Sequence, residues 1–187
     1  MQTSSSSELA QDVANVIRNI PDFPKPGIQF KDITPLLHNP VLLQRVVDHF
    51  AEVYAGKNIT AVVGVESRGF LFGVPLALKM DLPFVLTRKA GKLPAETIAL
   101  TYDLEYGTAT LEIHKDALNE NDLVIVIDDL LATGGTAGAT VQLIEKLGAK
   151  VAGCAFVIEL DFLNGSQAIT AQSKNNSDIT IDSLLHY

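Results

Sequence analysis

Two adjacent carboxylates followed by a loop of small residues and hydroxyls mark the stretch Leu123-Val-Ile-Val-Ile-Asp-Asp-Leu-Leu-Ala-Thr-Gly-Gly-Thr136. The apolar run reads as a buried strand, and Thr136 to Leu147, stopped by Gly148, reads as a helix. Ligands of open α/β sheets sit beyond the carboxyl ends of the strands, so the strand tip carrying Asp128 and Asp129 is where a site is expected. The loop Ala132-Thr133-Gly134-Gly135-Thr136 lets backbone N–H groups converge on an anion at a helix N-terminus, and both threonines add hydroxyl donors. A terminal phosphate fits that loop. Asp128 and Asp129 would repel it, so they are assigned to sugar hydroxyls or to a hydrated Mg²⁺. A Walker A loop is excluded, because Gly135 is followed by Thr136 and Ala137 rather than by Lys. A dinucleotide fingerprint is excluded too, since Gly134, Gly135 and Gly138 lack the G-x-G-x-x-G spacing.

A second cluster is cationic. Arg88, Lys89 and Lys92 fall within five residues of a chain whose 14 Lys and Arg against 22 Asp and Glu leave a net charge of −8. A local anion site explains such a concentration, with a solvated basic turn as the plain alternative. The overall negative charge repels nucleic-acid phosphates and anionic lipid, so neither nucleic acid nor membrane is an expected partner. His38, His49, His114 and His186 show no metal-ligand spacing, and Cys154, the single cysteine, reads as a small apolar core residue. Met1-Gln-Thr-Ser-Ser-Ser-Ser7 is not a basic segment leading into an apolar one, and no apolar run approaches the roughly 20 residues of a membrane span. A cytoplasmic location is expected.

The elements that must position these groups follow from periodicity. Ser5 and Glu8 form a capping box for a first helix that runs to Pro21, and Asp22-Phe-Pro-Lys-Pro-Gly27 breaks regular structure. A second helix is expected from Asn39, with Pro40 in its first turn, to Gly56. Ile59 to Val65, Pro83 to Thr87, Asp122 to Asp128 and Val151 to Leu160 read as strands covered on both faces, separated by helices such as Gly69 to Met80. The fold class is therefore α/β, with a mostly parallel central sheet flanked by helices, built as one domain over 1–187. Thr97 to Tyr106 and Thr108 to His114, joined around Gly107, are expected as a hairpin or a protruding loop outside the layered core. After Asp161 the pattern weakens: Ser173 to Asp178 is a polar loop, and Ile179 to Leu185 is of undecided type.

The strand, the Asp-Asp pair and the Ala-Thr-Gly-Gly-Thr loop together resemble the phosphoribosyl-pyrophosphate motif of the type I phosphoribosyltransferases, in the form found in the branch that takes adenine. Phe23-Pro-Lys-Pro-Gly-Ile-Gln-Phe-Lys-Asp-Ile33, Glu66-Ser-Arg-Gly-Phe-Leu-Phe-Gly73, Arg88-Lys-Ala-Gly-Lys-Leu-Pro94 and Leu104-Glu-Tyr-Gly107 match the same family, in register from about Phe23 to Glu159. The resemblance implies the type I phosphoribosyltransferase fold, with residues 1–35 as helix and hood over the active site and 95–114 as a flexible catalytic loop. It implies transfer of the phosphoribosyl group of 5-phosphoribosyl 1-pyrophosphate to N9 of adenine, giving AMP and diphosphate. Ala132 to Thr136 would hold the 5-phosphate, and Asp128 and Asp129 would face the ribose hydroxyls. Glu66, Ser67 and Arg68, with a cis Glu66–Ser67 peptide, would bind the diphosphate with Arg88, Lys89 and Lys92. Gln29, Phe30 and Lys31 would bind adenine, the Phe30 ring stacking on it and the neighbouring main chain reading its edge; core packing is the other role open to Phe30. Glu105 would act as acid/base, and Arg88 would offset charge on the leaving group. Mg²⁺ would be carried by the substrate without direct protein ligands, its waters near Asp128 and Asp129. Gln29 and Lys31 depart from the Val and Arg of other members. A homodimer is implied as well. A transferase for another nucleobase, or a non-catalytic sensor of phosphoribosyl pyrophosphate, are the competing functions.

Overall fold

A computed structural model describes residues 3–103, 107–174 and 179–187. Helix α1 spans Thr3–Val16 and is followed by strand β1, Arg18–Pro21, and strand β2, Gln29–Asp32, which pair antiparallel as a separate two-stranded ribbon. Two expectations are corrected here. The first helix starts at Thr3, ahead of Ser5. It also ends before Pro21, because Arg18–Pro21 gain strand partners, and tertiary pairing overrides local periodicity.

A short helix α2, Thr34–Leu37, leads to α3, Pro40–Val53, where the Asn39 side chain accepts a hydrogen bond from Leu42 N–H as N-cap. Then come β3 (Ala61–Val65), α4 (Gly69–Met80), β4 (Phe84–Lys89), β5 (Thr97–Asp103), β6 (Thr108–His114), β7 (Leu123–Leu131), α5 (Gly135–Lys146) and β8 (Lys150–Glu159). A 3₁₀ turn at Asp161–Leu163, helix α6 (Gly165–Gln172) and strand β9 (Thr180–His186) complete the chain. The weakly patterned 179–185 segment is thus a strand, parallel to β8.

The seven-stranded sheet has the order β5-β6-β4-β3-β7-β8-β9. Strands β3, β4, β7, β8 and β9 run parallel, while β6 pairs antiparallel with both β4 and β5. The hairpin is therefore not outside the layers. Strand β6 pairs with β4, and Leu111 and Ile113 are buried in the core.

Side-chain alternation builds two apolar layers. Val62, Ile125 and Ile127 face α1, α3 and α4, whereas Val63, Val65, Val124 and Val126 face α5, α6 and the hairpin. Cys154 lies in the second layer, where burial, and then the charge of Asp182, push its thiol up to about 12. Among the described residues no helix is long and apolar enough to cross a membrane.

Candidate active site

Both acids of the Asp-Asp pair stand in β7 itself rather than at its tip, because Leu130 and Leu131 still find strand partners in Ile158 and Glu159. Their surroundings differ. Asp129 is buried, while Asp128 is half-buried. The alternation of β7 slips at this point: Leu130 packs with Ile125 and Ile127, and Leu131 with Val124 and Val126. Consecutive strand residues normally face opposite sides, and this slip lets both carboxylates line a single cleft. The Asp128 carboxylate accepts from Asp129 N–H at 2.8 Å. Burial, and then the neighbouring charge of Asp129, push its pKa well above the usual carboxylate range.

Where β7 ends, Gly134 takes φ +80° as the N-cap of α5 and provides no side chain to cap it. The first backbone bond closing this turn runs from Gly138 N–H to Gly134 C=O at 2.8 Å. The N–H groups of Gly135, Thr136 and Ala137 precede it, and they are the orphan donors of a helix N-terminus, with the positive end of its dipole behind them. The loop is held from below by α6: a Cβ on Gly134 would lie 2.4 Å from Gly165 O, and one on Gly165 would lie 2.3 Å from Ala132 O. From the hairpin, the Tyr102 hydroxyl bonds the Thr136 hydroxyl at 3.0 Å.

The opposite wall is the turn after β3, where the Glu66–Ser67 peptide is cis. Arg68 Nε lies 2.8 Å from Asp129 Oδ2 and joins the two walls. The next residue must be small, because a Cβ on Gly69 would lie 2.6 Å from Ile127 O. Glu66 gathers the cations. Its carboxylate accepts from Lys92 Nζ at 2.5 Å, from Lys89 N–H at 3.0 Å and from Arg88 Nε at 3.3 Å. Burial alone would raise its pKa, but these donors outweigh it and bring the carboxyl down to about 2.

The resulting cleft encloses about 490 Å³. Asp128, Asp129, Ala132 to Thr136, Glu66, Ser67, Arg68, Lys89 and Lys92 all line it. Arg88 does not; its guanidinium is spent on Glu66 and on the Lys92 carbonyl, 3.0 Å away. Gln29, Phe30 and Lys31 do not line it either. Phe30 belongs to neither core layer, so core packing is not its role; its ring lies 5.5 Å from the Arg68 guanidinium carbon and edge-on to Phe23. Glu105 and the motif residues 104–106 lie outside the described residues, as do 175–178 of the polar loop.

Against this geometry stand the comparisons with known proteins. The phosphoribosyl transferase domain family matches residues 32–183. The adenine phosphoribosyltransferase of Koribacter versatilis is 49% identical over 187 residues, spanning 100% of this chain and 99% of that one. The chain belongs to the adenine phosphoribosyltransferase family. Solved structures of family members superpose over almost the whole molecule. The Rhodothermus marinus enzyme does so with a TM-score of 0.88 at 46% identity, covering 97% of this chain and 99% of that one. The Saccharomyces cerevisiae enzyme, complexed with an iminoaltritol bisphosphate and adenine, gives 0.85 at 40% identity, covering 95% and 99%.

Several cleft residues of this family member were not singled out in the sequence. Phe156 forms part of the lining because it pairs with Asp128 across β7 and β8, a register the apolar pattern does not reveal. Tyr102 and Gly165 brace the 132–136 loop from 34 and 31 positions away (136 − 102 and 165 − 134). The only local sign of the Gly165 contact is the Asn164-Gly165 turn.

Proposed function

We propose that the chain joins N9 of adenine to C1 of 5-phosphoribosyl 1-pyrophosphate, forming AMP and releasing diphosphate. The observation that carries this reading is an uncapped helix N-terminus and an Asp pair on one wall of the cleft, facing Arg68, Lys89 and Lys92 on the other. Such a cleft fits a sugar with a phosphate at one end and a diphosphate at the other. The yeast relative's complex with adenine and a bisphosphate points the same way.

The C1–O bond to diphosphate breaks ahead of the new N9–C1 bond, so positive charge builds on the ribose while negative charge builds on the leaving group. Asp128 and Asp129 stand where the positive charge develops. Lys89, Lys92 and Arg68 meet the negative charge, and Lys92 exchanges its bond to Glu66 for one to the diphosphate. The N–H groups of residues 135–137 fix the 5-phosphate, so that C1 is presented in line to the base. The donor set fits Mg²⁺, which favours one or two carboxylates together with substrate phosphates and retained waters; Asp128 and Asp129 would hold it through those waters. When bound, Mg²⁺ neutralises diphosphate charge. The base lies under the β1–β2 ribbon against Phe30, and its N9 proton passes to Glu105.

Two measurements check these roles. Supplied with Mg²⁺, phosphoribosyl pyrophosphate and each nucleobase in turn, the enzyme is expected to form AMP from adenine at least 10²-fold faster than any other nucleotide, a margin that hydrogen-bond readout of a base edge supports. Faster turnover of guanine, hypoxanthine, xanthine or orotate would reassign the substrate, and binding of the donor without turnover would make the chain a sensor. Glu105→Gln is expected to lower kcat by about 10²-fold, the usual contribution of a positioned acid/base. A loss below threefold removes Glu105 from proton transfer.

A homodimer is also proposed. Leu71, Val74 and Leu78 form an exposed stripe on α4, immediately after the Ser67-Arg68 turn, and Leu78 is 78% exposed. Light scattering should give twice the chain mass for the wild type and a single chain mass for Leu71→Asp with Leu78→Asp. Equal masses for the two proteins would discard this interface.

A further inference from the structure

We infer that Tyr187 is a positioning residue for the nucleobase, acting through Lys31 on the β1–β2 ribbon. The ribbon is a separate two-stranded sheet, attached at its ends by the buried Ile17 and Ile33. Its base is closed by Arg18 and Asp32, 2.6 Å apart. Nothing in that attachment sets how far its middle stands from the body. Lys31 does: its Nζ donates to Asn19 Oδ1 on the opposite strand at 2.7 Å and lies 3.5 Å from the centroid of the Tyr187 ring. One ammonium therefore clips both strands to a single aromatic face.

That face is itself anchored. Tyr187 N–H donates to Glu159 C=O at 3.0 Å, and Tyr187 C=O accepts from Asp161 N–H at 2.9 Å. The preceding His186 Nδ1 lies 2.9 Å from Asp161 Oδ1. Tyr187 is thus held to the end of β8 by backbone bonds on both sides of its Cα. Lys31 and Phe30 are consecutive strand residues and project to opposite faces of the ribbon. A grip on Lys31 from the body side sets the depth of Phe30 on the Arg68 side, where the ring stands 5.5 Å from the guanidinium carbon. Residues of the phosphate loop take no part in this contact, so a loosened grip is felt by the base and not by the phosphoribosyl donor.

The inference rests on the reading that adenine lies against Phe30, and its test separates the two. Tyr187→Ala is expected to raise the KM for adenine about 5- to 10-fold, the span a partly desolvated cation–π contact supplies, with the KM for phosphoribosyl pyrophosphate and kcat within twofold. Tyr187→Phe keeps the ring and is expected to restore wild-type values. Lys31→Met should reproduce the alanine effect, and the double variant should be no worse than either single one. Amide exchange of residues 18–32 should accelerate in Tyr187→Ala while that of α6 stays unchanged. An unchanged adenine KM, an equal rise in both KM values, or unchanged exchange in the ribbon each overturns the inference. Should the wild type form no AMP at all, the proposed function fails instead, and exchange in the ribbon still decides whether Tyr187 holds it.

Discussion

Replacing Asp128 and Asp129 together by Asn is expected to lower kcat by about 10³-fold, the cost of removing preorganised charge from a developing cation. Stability should move the other way. A carboxyl whose folded pKa is raised above its unfolded value binds its proton more tightly in the native state, so at neutral pH its charge works against folding. Asp128 is in that position, pushed up by burial and by Asp129. Asn at 128 is neutral and of the same shape, and it removes that cost. Asn at 129 leaves Arg68 unpaired, but the Arg68 side chain is 43% exposed and water takes over. The melting temperature of the double variant should therefore stay level or rise by a few degrees, at about 2 to 4 °C per kcal/mol for a chain of this size. Loss of activity with equal or greater thermal stability would mark the pair as groups retained for chemistry against the interest of the fold. Unchanged kinetics would remove both acids from the mechanism, and a collapse of the melting temperature would make them structural.

What the sequence makes legible is local, and the structure supplies the rest by pairing. The strand at 61–65 and the first part of the strand that starts at Leu123 are readable because both faces are buried, which makes AVVGV and LVIVI continuous apolar runs; the continuation of the second strand through Asp128 and Asp129 to Leu131 is not readable that way. Helix α4 and the cap at Asn39 are readable because their signals lie within four residues of where they act. The loop at 132–136 is readable for the same reason, since strand, glycines and helix are contiguous. The hairpin is legible as a hairpin, but its place on the β4 edge is not, because short-range pairing carries no information about which edge it joins. Ribbon strand β1 was hidden by Ile20, which continues the helical spacing of Val13, Val16 and Ile17 but pairs with Phe30 of the partner strand. The three cations at 88–92 were visible as charge. That they are organised by Glu66 could not be read from spacing, because the contact spans 22 to 26 positions. The grip of Tyr187 on Lys31 is longer still and lies between residues that no motif connects. Chemistry concentrated in one segment is thus visible early, whereas the residues that aim it are visible only after the sheet has brought them together.

Gly134→Ala tests that aiming directly, and it can be compared with a glycine at the other end of the same helix. Gly134 and Gly148 flank α5, and both have φ well into the left-handed region, +80° and +91°. An alanine at either position incurs about 1 to 2 kcal/mol of backbone strain. Space then separates them. A Cβ at 148 meets Glu120 at 3.5 Å, an ordinary contact, whereas a Cβ at 134 would lie 2.4 Å from the Gly165 carbonyl oxygen. Backbone cannot swing aside as a side chain does, so the loop must lift away from α6 and carry the N–H groups of residues 135–137 with it. Gly148→Ala is expected to lower the melting temperature by several degrees and leave the KM for phosphoribosyl pyrophosphate within twofold. Gly134→Ala is expected to lower it at least as much and to raise that KM by about 10²-fold, the scale of losing a single preorganised donor to a charged oxygen. If the two variants differ in stability alone, the end of α5 does not hold the 5-phosphate. A selective rise in KM at 134 would place the phosphate on those amides, because strain is common to both substitutions and displacement of the loop is not.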